Sequence, residues 1–151
     1  MPLRVLSVPH KVQEHEAGCL AACAQAVLSF LGVEQTQTNL NRILGLTSIG
    51  VPFRHIQRLT TLGVAVLLQR GEESDLRSAI DRNLPPILFV KTGDLPYWQD
   101  NTAHAVVMIG YGENTVLLAD PQFVHSPQHI DWDALMLAWS EMDYYFALIS
   151  R

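Results

Sequence analysis

The chain has 151 residues, 48% hydrophobic and 17% charged, with a formal net charge of -5 at pH 7. That size and balance fit one domain, residues 1–151, around a substantial core. The acidic excess, with no basic cluster, argues against nucleic acid or an anionic membrane as the main partner. The only cysteines are Cys19 and Cys23, too few and too close for a disulfide framework, which points to a reducing, cytoplasmic setting. Met1–Leu6 lacks the apolar stretch of a signal peptide. The longest apolar-rich segment, Cys19–Leu31, is shorter than the ~20 residues that span a bilayer, so no membrane insertion is expected.

Leu3–Pro9 reads as extended and leads into a polar loop, His10–Gly18. A helix is expected from Cys19 to Phe30, stopped by Gly32 and buried on most sides because Ala, Leu and Val dominate it. A short helix around Asn39–Leu44 stops at Gly45. A third starts at Pro52, a good first-turn residue, and carries Ile56, Leu59 and Leu62 at a spacing of three up to Gly63. Val64–Leu68 is a strand candidate, Ser74–Arg82 a helix with Leu76 and Ile80 on one face, and Ile87–Val90 a strand after Pro85-Pro86. Gly93–Thr102 is a polar loop containing Tyr97 and Trp98. Strands Ala105–Ile109 and Thr115–Ala119 flank a Gly110–Asn114 turn, a hairpin signal. A helix over Asp131–Trp139 and a strand over Tyr144–Ile149 close the chain. Helices first and a mostly antiparallel sheet second make an α+β layout.

Four residues carry chemistry if folding brings them together. Cys19 at a helix N-terminus lies at the positive end of the helix dipole, which favours thiolate. A free cysteine is also commonly a small buried hydrophobe. His104 opens an apolar strand and could project into a cleft, or be a hydrogen-bonded structural histidine. Asp120 ends the next strand before Pro121. There the hairpin would bring it near His104 to set the tautomer, although Asp-Pro is also an ordinary chain reversal. Gln13, otherwise an unremarkable loop residue, could donate its amide to an oxyanion together with the Cys19 backbone N–H. Cys23, one turn beyond Cys19, reads as packing. His15, Cys19 and Cys23 share a spacing of four, but a structural zinc site wants four ligands and the fourth is missing locally. No metal or cofactor is therefore expected. Tyr97 and Trp98 could wall a substrate groove or simply anchor their loop.

Gln13, Cys19, His104 and Asp120, in that order, resemble the parts of a papain-like thiol enzyme. Leu6-Ser7-Val8-Pro9, Gln13, Cys19 with Ala22-Cys23, Phe30-Leu31-Gly32 and the Val116–Pro121 block are similar to bacteriocin-processing peptidase domains, which cut leader peptides after a double glycine and are often attached to an exporter. The resemblance spans nearly the whole chain. It implies a papain-like fold in which an N-terminal helical lobe packs its Cys19 helix on the sheet. It implies Cys19 as nucleophile, His104 as base then acid, Asp120 as orienting residue and Gln13 as oxyanion donor. The implied partners are a peptide or protein substrate, a leader peptide among them, and a transporter or substrate-delivery protein. Family members usually carry Gly after the nucleophile. Leu20 stands there in this chain and is expected to reshape the groove beside the thiol. Acyl transfer on the same residues, and peptide binding without turnover, are the alternative functions.

Overall fold

The computed structural model describes residues 3–151; Met1 and Pro2 lie outside the described residues. Its frame is a seven-stranded antiparallel sheet with helices on both faces. The strands are β1 (Arg4–Val5), β2 (Ala65–Arg70), β3 (Ile87–Lys91), β4 (Ala103–Tyr111), β5 (Thr115–Ala119), β6 (Gln128–Asp131) and β7 (Tyr145–Ser150). They lie in the order β2-β7-β3-β4-β5-β6, and β1 pairs with the far end of β4. The helices are α1 (Cys19–Phe30), α2 (Gln37–Leu44), α3 (Glu73–Asp81) and α4 (Trp132–Ser140), with a 3-10 helix over Phe53–Leu62. The α+β layout expected from the sequence is the one observed.

Sequence alternation sorts the core into two layers. Ile87, Phe89, Ala105 and Val107 pack with α1, α2 and the 3-10 helix. Leu88, Val90, Val106 and Met108 pack with α3 and α4 on the opposite face. Covering both faces explains why β3 and β4 read as continuous apolar runs: every alternate side chain meets a helix, so neither face can be polar. Helix α1 is buried along nearly its whole length, from Leu20 to Leu28 apart from Gln25.

Local chemistry fixes the ends. Thr36 caps α2 by accepting from Asn39 N–H, and Gly45 closes it at φ 77°, a left-handed conformation that costs a glycine little. Glu72 and Asp75 form a reciprocal capping box on α3. The third expected helix forms as a 3-10 helix. A spacing of three matches 3.0 residues per turn, which keeps Ile56 and Leu59 buried along one edge. Two further differences bear on the site. Strand β4 begins at Ala103, so His104 sits within it rather than at its mouth. Strand β6 was not expected: its four residues place only Ile130 in the core. Among the described residues, no helix is long and apolar enough to cross a membrane.

Candidate active site

Cys19 is the first residue of α1, and Gly18 precedes it as N-cap without a side-chain cap. First-turn N–H groups have no acceptor inside their own helix, so the Cys19 N–H is not consumed by α1. Cys19 is partly exposed, whereas Cys23 is buried at 1% and points its thiol at Ala105 O, 3.4 Å away. Burial, then the Cys19 and Asp120 charges, push the Cys23 thiol well above its ordinary pKa. Cys23 is therefore a packing residue, as its spacing suggested.

The β4–β5 hairpin supplies the second half. Val107 pairs with Ala119, so one step further on Asp120 stands opposite Val106, with His104 as its diagonal neighbour on the same face. His104 Nε2 donates to Asp120 Oδ1 at 2.7 Å, with the imidazole 4% exposed and the carboxylate fully buried. That bond occupies Nε2 and leaves Nδ1 as the free ring nitrogen.

Every side of the Asp120 carboxylate is engaged. Oδ1 also accepts the Gln122 N–H at 3.0 Å, and Oδ2 accepts Tyr97 Oη–H and Trp98 Nε1–H, each at 2.8 Å. Burial works to raise the Asp120 pKa. The His104 bond and charge, then Trp98 and Gln122, outweigh it and hold the carboxyl below its usual range. For His104, burial favours the neutral ring. The hydrogen bond to Asp120 and the neighbouring Cys19 thiol, and then their charges, overcome this and raise it to about 9. Burial and the Asp120 charge push the Tyr97 hydroxyl upward, so it stays a proton donor. Tyr97 and Trp98 therefore brace the carboxylate. Trp98 also lines the cavity, one of the two roles its loop left open, and meets the His104 ring edge-on at 4.9 Å. Nothing in their spacing along the chain signals the bracing role.

Cys19 and His104 line one cavity of about 590 Å³ together with Gln13, Leu20, Trp98 and Gln122. Its opposite wall is the segment Ser48–Phe53, with Ile49 96% exposed at the tip of a turn closed by reciprocal Thr47–Gly50 hydrogen bonds. Leu20 lines the cavity but is only 2% exposed and belongs to the core around α1. Gln13 Nε2 lies 3.1 Å from His15 O and 2.9 Å from Glu16 O. The Gln13 amide thus donates to its own loop, and its Oε1 is buried without a partner; to serve another acceptor, an N–H must leave one of these carbonyls. His15 Nδ1 accepts the Ala17 N–H, so His15 and Cys23 are both engaged away from a shared ligand position with Cys19. His10 and His55 are bonded to the carbonyls of Phe123 and Leu44.

A buried His–Asp pair beside a helix-terminal thiol, on an α+β frame, has the form of a papain-like domain. A family model described as a Peptidase_C39 like family matches residues 5–146, and the chain belongs to that family. Solved structures agree in fold. A protein described as a C39-like peptidase from Bacillus anthracis superposes with a TM-score of 0.80 at 15% identity, covering 100% of this chain and 98% of that one. The peptidase domain of Streptococcus ComA, a bi-functional ABC transporter involved in quorum sensing, gives 0.77 at 15% identity over 93% and 96%. A double glycine motif protease from an AMS/PCAT transporter, in complex with its leader peptide, gives 0.76 at 15% identity over 97% and 93%. No curated protein matches the sequence.

Proposed function

We propose that this chain is a cysteine peptidase, acting as one domain, that hydrolyses a peptide bond through Cys19, His104 and Asp120. The observation that carries this reading is the buried 2.7 Å His104–Asp120 pair, whose ring shares a cavity with Cys19 at the head of α1. With its proton passed to His104, Cys19 Sγ attacks the substrate carbonyl carbon, and the oxygen becomes an oxyanion facing the Cys19 N–H and the Gln13 amide. The His104 imidazolium gives its proton to the departing amine, leaving a thioester on Cys19. Water then adds to the thioester, with His104 accepting its proton, and the acid departs as the thiol re-forms. Asp120 holds the ring with Nδ1 toward the thiol and stabilises the imidazolium without taking its proton.

A leader peptide is the substrate class that the double glycine relative suggests, with a transporter or delivery protein as partner. Leu20 stands where the family resemblance places a glycine, but its side chain packs into the core rather than reshaping the groove as expected from the sequence, so preference for glycine beside the cut is read from a peptide library. A library of fluorogenic peptidyl-aminomethylcoumarins should be cleaved by the wild type and not by Cys19→Ala or His104→Ala. An active-site thiol probe should label the wild type alone. Labelling of Cys19→Ala equal to wild type, or unchanged turnover in His104→Ala, would overturn the mechanism.

A further inference from the structure

Gln37 opens α2, a position that faces solvent in many helices, yet it is 2% exposed. Its amide is saturated by strong partners. Oε1 accepts the Glu14 N–H at 2.9 Å, and Nε2 donates to Val12 O and to Gln25 Oε1, both at 2.9 Å. Val12 and Glu14 are the two neighbours of Gln13. In an extended chain a C=O and the N–H two residues on point to the same side, and the residue between them points its own N–H to the other. The Gln13 N–H does so, donating to Pro121 O at 2.8 Å, next to Asp120. Residues 12–14 are thus laced along both edges, to α2 on one side and to the Asp120–Pro121 segment on the other. Gln25 lies on α1, the helix that Cys19 begins, and its own Nε2 donates to Gln35 O at 2.9 Å. One buried amide therefore ties the helix bearing Cys19 to the backbone bearing Gln13.

We infer that Gln37 is a positioning residue for oxyanion stabilisation: it fixes the Gln13 amide relative to the Cys19 N–H. This rests on the proposed role of Gln13 as a donor. A shift of about 1 Å in a group that acts on the transition state can cost on the order of 10²-fold in rate. Holding such a group from both flanking peptides prevents that shift. A buried, fully bonded amide that merely stabilises the fold would affect Cys19 chemistry of every kind equally, and that difference makes the inference testable.

Two reagents separate the roles. Acylation by p-nitrophenyl acetate passes through a tetrahedral oxyanion: Cys19 sulfur bonds to the acetyl carbon and p-nitrophenolate leaves. Alkylation by iodoacetamide displaces iodide at a saturated carbon and forms no oxyanion. Cys19→Ala corrects both for background. Gln13→Ala is expected to slow acylation by about 10²-fold, the scale of one lost oxyanion donor. Gln37→Leu, which keeps the volume and loses all three bonds, and Gln37→Glu, which loses the two donated ones, should each slow acylation by roughly 10-fold and leave alkylation within about 2-fold of wild type. The double variant Gln13→Ala/Gln37→Leu should be no slower than Gln13→Ala, since there is then no donor left to position. If both Gln37 variants acylate at the wild-type rate while Gln13→Ala is slow, the inference fails and the donor role stands. Equal slowing of acylation and alkylation, or losses that multiply in the double variant, overturns it as well. Gln13→Ala acylating like wild type removes the donor role itself, and a wild-type Cys19 that neither acylates nor alkylates removes the proposed site.

Discussion

Asp120 carries a full charge without contact with solvent, and it does so because each of its four acceptor positions is filled. Trp98→Phe keeps an aromatic ring against His104 and removes one donor to that carboxylate. Losing a hydrogen bond to a buried charge costs on the order of 1.5–3 kcal/mol. The variant should therefore lower the urea midpoint at pH 7. The cost belongs to the charged carboxyl. Because the Asp120 pKa is depressed in the folded protein, its contribution is present above the unfolded value near ~3.9 and is lost as pH falls through the folded value. The wild type and Trp98→Phe should converge in stability in acid, and a constant gap down to pH 2 would refute this. His104 has the opposite sign. Its pKa, raised to about 9, gives a contribution fully present below ~6.5 and lost as pH rises through about 9. Peptide turnover should fall over the same alkaline range as the imidazolium loses its proton. Asp120→Asn removes the negative charge that holds the proton, so burial prevails and the alkaline limb should move to lower pH. An unmoved limb would disconnect the pair from turnover. Cys23→Ala should leave turnover within about 2-fold, because its thiol bonds to Ala105 O and otherwise packs in the core, and a core change of this size costs about 1 kcal/mol.

At the level of elements, the strand β4 works as the keel. It pairs with β3 over Ala103–Val107 and with β5 over Val107–Tyr111, and takes β1 at Tyr111 and Gly110. The β4–β5 register slips between Met108 and Gly110, and Ile109 O there accepts the Leu6 N–H at 2.8 Å. A side chain on Gly110 would stand 2.6 Å from Arg4 O. Gly110→Ala should therefore push β1 off the sheet and destabilise the protein by roughly 1–3 kcal/mol. Hydrogen exchange at Leu6 N–H should rise, and unchanged protection there would contradict the account. Much of this level was legible in the sequence. Helix α1 was bounded by its composition and by Gly32, and the hairpin was bounded by its glycines. Apolar period and turn residues are local properties, and those elements are decided locally. The spacing of Ile56, Leu59 and Leu62 already held the 3-10 repeat, although a spacing of three also suits one edge of an α-helix. Strand β6 was illegible because a four-residue edge strand buries a single side chain and leaves no periodic trace. The same limit governs the site. Gln13, Cys19, His104 and Asp120 could be nominated from residue type and order. The bracing of Asp120 by Tyr97 and Trp98, and the Gln37 clamp, depend on contacts between distant segments that no local pattern encodes.

Across the whole molecule, the sheet separates two apolar layers, and the cavity opens where the head of α1 meets the start of β4 and the segment just after β5. At 15% identity to its structural neighbours the frame persists, as expected when filled volume and pattern specify a core more than particular side chains do. The strand order also places β7, the last element of the chain, in the interior between β2 and β3. Residues 65–70 of β2 pair along their length with β7, so β2 has no seat until β7 arrives. A chain shortened before Tyr145 should show no cooperative unfolding transition, and recovery of one would refute this dependence. During synthesis the consequence is one of timing. A ribosome adding about 5–20 residues per second takes roughly 6–25 s to pass from Cys19 to Tyr145. Through that interval the nascent protein carries a thiol with no finished machinery around it. On the proposed function, the surroundings of that thiol are complete only once β7 has been made and has paired with β2 and β3.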